Sequence, residues 1–217
     1  LIDQSINLDS YSFNSWVYLN STELDYKPIF WIGDSNSSSL EIYGQWDGNN
    51  SSVSNHALTI SHNRNNDEIH AFKYYGNLDD YYNQWLFITV TYNSGNVKVY
   101  FDSIEQLATD SSNYFSSPLI TTDQISVFGY LNWSENEQFL DGALDDISLW
   151  NTVLSQQEII NYMNCPPSGD EEGLVGYWNF EEGSGDTVLD LSPNGNDGTI
   201  NGATYDTNVP IQSCDLT

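Results

Sequence analysis

Apolar and polar residues alternate in short runs over most of this chain. In residues 11–19 (YSFNSWVYL), Phe13, Ser15, Val17 and Leu19 share one face and Trp16 and Tyr18 the other, the two-residue period of a half-buried strand. Runs of the same kind occupy 27–33, 39–46, 56–62, 68–75, 84–93, 96–102, 124–131 and 139–151, with Gly, Asn, Asp and Ser between them. Ser94-Gly95 separates two of these runs and has the length and chemistry of a two-residue hairpin turn. Many short strands at regular spacing predict two packed antiparallel sheets.

One segment breaks the period. Residues 154–164 (LSQQEIINYMN) place Glu158 three positions after Ser155, a capping box, and set Ile159, Ile160, Tyr162 and Met163 near helical spacing, so a short helix is expected. Residues 165–173 (CPPSGDEEG) are linker chemistry. Residues 173–205 then read like the opening of a domain, with an aromatic strand, an acidic Gly-rich turn and an Asn-Gly-Asn-Asp-Gly loop, and yet little sequence follows. A unit this small seldom holds a core unaided, so it is expected to lie against something.

Composition narrows the partners. Four Lys or Arg stand against 31 Asp or Glu, a formal charge of −27, which repels phosphate and anionic headgroups and argues against nucleic acid and membrane surfaces. The same field draws in divalent cations, although an acidic, Asn- and Ser-rich surface also simply keeps a secreted protein soluble in salt. Aromatic residues make up 14% of the chain, enough to build a sizeable core. Cys165 and Cys214 are the only cysteines and flank the C-terminal segment. Oxidised, they would stabilise the fold by roughly 4 kcal/mol and imply a compartment outside the cytosol; two free thiols or a metal pair are the alternatives. No run is long and apolar enough for a membrane helix, and the chain reads as an excerpt of a longer exported protein.

Residues 139–161 (FLDGALDDISLWNTVLSQQEIIN) resemble the closing signature of laminin-G-like domains of the concanavalin A-like lectin superfamily, strands of the Phe-x-Gly-x-Ile-Asp-Asp-Val type leading into a short helix. FNSWVYLN, NQWLFITVTYNSGNVKVYFDS and QISVFGY are similar to that family's early, central and penultimate strands, in the same order. Residues 173–205 are similar to the family's N-terminal segment, which is missing from this chain's own start. The resemblance implies a concanavalin A-like jelly-roll sandwich with one short helix, circularly permuted: one domain over 1–217, in which 165–217 forms a disulfide-closed segment completing the sandwich. The alternative is a domain over 1–164 followed by the start of a truncated second repeat over 173–217, and a domain swap with a second molecule would satisfy the same sheet edges.

The superfamily's glucanases carry alternating carboxylates along one strand, and no such strand is found here, so no enzyme is expected. His56, His62 and His70 have no matched nucleophile. Asp141, Asp145, Asp146, Asp190, Asn194 and Asn196, with Asp197 nearby, are the candidate ligands for a structural calcium ion, because the resemblance brings the two acidic segments together; the plainer reading is turn and strand-start chemistry. Trp16, Trp85, Trp150 and Trp178 align with core strands and read as packing residues, whereas Trp46, Trp133, Tyr74, Tyr75 and Tyr82 are candidate sugar-stacking residues or partly buried edge aromatics. Sequons at Asn20, Asn36, Asn49, Asn50 and Asn132 carry little weight in so Asn- and Ser-rich a chain. The expected function is a non-catalytic recognition or adhesion module of a secreted or cell-surface protein, binding a glycan or a cell-surface protein with calcium. The alternatives are a structural spacer of a multidomain adhesin and, third, a glycan-active enzyme.

Overall fold

The alternating runs form strands in a computed structural model of the chain, which describes residues 7–8, 10–20, 26–33, 39–46, 56–63, 71–108, 119–120, 125–133 and 136–214. In chain order the strands are β1 (Asn7–Leu8), β2 (Ser10–Leu19), β3 (Tyr26–Gly33), β4 (Ser39–Trp46), β5 (His56–Asn63), β6 (Ala71–Tyr75), β7 (Trp85–Asn93), β8 (Asn96–Phe101), β9 (Ile104–Gln106), β10 (Leu119–Ile120), β11 (Ile125–Phe128), β12 (Tyr130–Trp133), β13 (Asn136–Phe139), β14 (Gly142–Trp150), β15 (Leu174–Trp178), β16 (Thr187–Val188) and β17 (Gly198–Thr199). A 3-10 turn spans Leu78–Tyr81 and one α-helix, α1, spans Gln156–Asn164. The run expected over 124–131 divides at Gly129, whose φ of +67° ends β11 and starts the β12–β13 hairpin. The Ser94-Gly95 turn has φ of +47° and +94°, the pair of left-handed residues that a tight two-residue hairpin needs.

Two large antiparallel sheets result, one of five strands in the order β11-β3-β4-β5-β6 and one of six in the order β15-β14-β2-β7-β8-β9, beside the two-stranded pairs β1-β10, β12-β13 and β16-β17. Their facing sides make the main core. Val17, Leu19, Ile88, Val90, Val99, Ile147 and Leu149 of the larger sheet meet Phe30, Ile32, Leu40, Ile42, Leu58 and Ile60 of the smaller. Phe13 and Phe30 stack across the interface with ring centroids 4.8 Å apart. Fully burying such a side chain stabilises by about 1.5–3 kcal/mol, which is why the period-two pattern decides the face each strand presents.

The outer face of the six-stranded sheet is covered as well. A second apolar cluster joins Trp16, Phe87, Tyr100, Trp150 and Tyr177 to Leu154 and Ile159, so α1 lies over the sheet, and Trp150 stacks on Tyr162 with centroids 4.8 Å apart. The capping box expected from Ser155 and Glu158 forms: the Ser155 N–H donates to Glu158 Oε2 at 2.7 Å and the Glu158 N–H to Ser155 Oγ at 3.3 Å. On the same face lie the buried polar side chains Ser12, Asn14, Thr89, Thr91 and Ser148, where Asn14 Nδ2 donates to Ser148 Oγ and Ser12 Oγ donates to the Thr152 carbonyl.

Strand β15 adds to the edge of the larger sheet by pairing with β14, Ile147 opposite Trp178 and Leu149 opposite Gly176. Val175, Trp178 and Val188 belong to the main core, and Trp178 meets Phe128 of the smaller sheet with centroids 5.1 Å apart. Cys165 and Cys214 are joined by a disulfide, and the Ser213 N–H donates to the carbonyl of Asn164 at the end of α1.

Candidate functional site

The acidic pair of the closing strand is shaped by a bulge. Asp145 is opposite Trp16 of β2, the register then shifts before Ser148 meets Asn14, and Asp146 takes a φ of +47°. Leu144 and Ile147 face the main core, so the extra residue turns both Asp145 and Asp146 outward. Both are 8% exposed. Asp145 Oδ1 accepts from the Asp146 N–H at 2.9 Å, and Asp146 Oδ1 accepts from the Tyr177 hydroxyl at 2.7 Å. Burial, followed by repulsion from Asp146 and Glu181, pushes the Asp145 carboxyl up to about 7; the Asp146 N–H works against this. Burial also raises Asp146, with the Tyr177 hydroxyl opposing. A hard cation takes carboxylates in their ionised form, so an ion at this pair competes with the proton that burial favours.

The loop after β16 is built differently. Asp190 accepts at Oδ1 from the backbone N–H of Tyr177 and Ser192, and at Oδ2 from the Ser192 hydroxyl and the Asn196 N–H, at 2.8–2.9 Å. Asn194 Nδ2 and Asn196 Nδ2 both donate to the Val175 carbonyl, and Asp197 Oδ1 accepts from the Asp190 N–H. These side chains hold the loop onto β15. Asp141 lies at the start of β14, exposed, and accepts from Asn20 Nδ2 at 3.1 Å. The six proposed ligands therefore fall into separate groups, and among the described residues no three His, Cys, Asp or Glu side chains converge as a metal-holding set. Asp145 and Asp146 are the two adjacent carboxylates of the set, while the carboxylate of Asp190 already accepts four hydrogen bonds.

Of the proposed stacking residues, Trp46, Tyr74 and Trp133 have side chains outside the described residues. Tyr75 is 2% exposed, in the main core, with its hydroxyl donating to the Val97 carbonyl, so its ring has no open face. Tyr82 is half-buried; Lys27 Nζ lies 5.5 Å from its ring centroid and the His56 ring meets it edge-on at 6.3 Å. His56 Nδ1 lies 2.8 Å from Asp79 Oδ1, and His62 is buried beside Tyr11, with burial lowering its pKa to about 3. His70 lies outside the described residues.

Two aromatic residues assigned to packing or passed over in the sequence share a surface. Tyr18 of β2 and Trp85 of β7 are cross-strand partners on the outer face, both half-buried, with ring centroids 5.5 Å apart at 63°. Alternation placed Tyr18 outward; Trp85 packs in part against the outer cluster that α1 joins, while Tyr18 belongs to neither cluster.

No curated protein sequence matches this chain. Among solved structures it is similar to a candidate carbohydrate-binding protein from Bacteroides ovatus, at 15% identity and TM-score 0.61, over 89% of this chain and 52% of that one. It is also similar to a heptameric SAP-like pentraxin from Limulus polyphemus, at 12% identity and TM-score 0.53, over 90% of this chain and 85% of that one. A third similarity is to the tailspike protein 2 of bacteriophage CBA120, at 12% identity and TM-score 0.54, over 80% of this chain and 27% of that one. This chain thus spans about half of the Bacteroides ovatus protein. At such identities these likenesses establish the fold, which is the sandwich described above. The laminin G family profile matches residues 1–160, and the chain belongs to that family, within the concanavalin A-like lectin/glucanases superfamily.

Proposed function

We propose that this protein is a non-catalytic glycan-recognition module of a secreted or cell-surface protein. The observation that carries this reading is the shared fold, over 89% of this chain, with a protein described as a candidate carbohydrate binder. The disulfide supports an oxidising, extracellular setting, and among the described residues no helix is long and apolar enough to cross a membrane. A calcium ion, where bound, is held by Asp145 and Asp146 and relieves the repulsion between them, bracing the sheet edge on which β15 pairs. We further read 165–217 as completing the sandwich of the same domain in cis, supported by the β14–β15 pairing and the burial of Trp178.

Glycan-array binding by the intact chain tests the function. Binding to at least one glycan class is expected, weakened by chelator. A structural spacer is the second reading, favoured by the self-bonded Asp190 loop; it predicts silence on a broad array together with thermal stabilisation by calcium. A surface-protein partner would leave the array silent and instead bind in a protease-sensitive manner to cells. Turnover of a polysaccharide, abolished at one acidic residue, would replace both with an enzyme.

A further inference from the structure

We propose, resting on the glycan-binding reading, that the outer face of the six-stranded sheet carries a subsite for a neutral glycan, centred on Tyr18 and Trp85. The two rings are direct cross-strand partners, each partly exposed, 5.5 Å apart and steeply inclined. Tyr18 belongs to neither apolar cluster, and Trp85 touches the outer cluster only with part of its surface. Core packing therefore accounts for neither ring's open area.

The chemistry around the pair is what a pyranose requires. Apolar sugar faces stack on aromatic rings, while hydroxyls need planar amide and carboxylate partners. Two positions beyond Tyr18 is Asn20 and two positions before Trp85 is Asn83; the Asn83 N–H donates to the Leu19 carbonyl and the Asn20 N–H to the Asp141 carbonyl. These bonds fix three exposed polar residues, Asn20, Asn83 and Asp141, at the end of the strands that carry the rings. In the next row Trp16 is 9% exposed, and its indole N–H and that of Trp85 are both buried, without a hydrogen-bond partner among the described residues.

Charge selects the class of glycan. Asp141 is bonded to Asn20, Asp145 is opposite Trp16, and the whole chain carries −27, so uronate, sulfate or sialate groups are repelled while a neutral chain is not. The site is distinct from the acidic loop after β16 and from Tyr75 and Tyr82.

The test titrates the intact chain with soluble neutral oligosaccharides of gluco, manno, xylo, galacto and arabino type, and with uronate-containing and sulfated ones, followed by calorimetry and tryptophan fluorescence. The expected result is binding of a neutral member with a fluorescence change, weakened about tenfold or more in Tyr18→Ala and in Trp85→Ala, and largely kept in Trp85→Phe and Tyr82→Phe. Tyr18→Ala guards against misfolding of the Trp85 variant, since Tyr18 contributes to neither core cluster. Unchanged affinity in both alanine variants overturns the subsite while leaving the glycan-binding function standing. Preference for the anionic sugars overturns the ligand class, and silence with every sugar overturns subsite and function together.

Discussion

At Asp145 and Asp146 a bulge places neighbouring carboxylates on one face, and their protonation is tied to folding. Asp145 is raised to about 7 by burial first and by Asp146 and Glu181 after it, so the folded chain holds a proton that the unfolded chain has released. Its contribution to stability is complete below the ordinary carboxylate range and is lost as the pH rises through about 7. In chelator, the melting temperature is therefore expected to fall on going from mildly acid to mildly alkaline buffer. Asp145→Asn, which cannot ionise, should flatten that fall and melt higher than the parent at alkaline pH; a parent that gains stability with rising pH, unaffected by the substitution, would contradict the assignment. Calcium should restore the parent at alkaline pH and leave Asp145→Asn nearly unmoved, in the same melting experiment.

At the scale of the elements, β15 is held by three features with separate causes. It pairs with β14, its neighbouring loop is tied down by Asp190, Asn194 and Asn196, and the indole of Trp178 folds over Gly176. A Cβ at Gly176 would collide with that ring, which must then leave its place against Phe128. Gly176→Ala is accordingly expected to cost about 1–3 kcal/mol in denaturant unfolding, as overpacking does. Wild-type stability in that variant would mean that Trp178 is not seated in the core. The helix α1 and the 94–95 hairpin were legible because their signals are local, a hydroxyl and a carboxylate three positions apart in one case and a Gly in the left-handed region in the other. The bulge at Asp145 was not, since a register shift depends on what the partner strand offers opposite it.

For the molecule as a whole, the placement of residues 165–217 decides how much of the chain is one folding unit. Reduction, or Cys165→Ser with Cys214→Ser, is expected to lower stability by roughly 4 kcal/mol by freeing the closed loop in the unfolded state. Removal of everything after residue 164 would uncover the β14 edge and the place of Trp178, and should leave an aggregating or non-cooperatively melting remainder. A truncated protein that melts cooperatively at the parental temperature would instead favour a severed tandem repeat. Alternation along residues 11–19 and its counterparts by itself determined the sandwich, its inward faces and the outward position of Trp16 and Tyr18, because a two-residue period is a property of the strand alone. Only the tertiary structure decided that Tyr75 is sealed in the core, that Asp190 is consumed by donors of its own loop and of β15, and that Tyr18 stays outside both apolar clusters. Exposure and hydrogen-bond satisfaction are set by whichever distant segment lies on top, and no local pattern of residues encodes that.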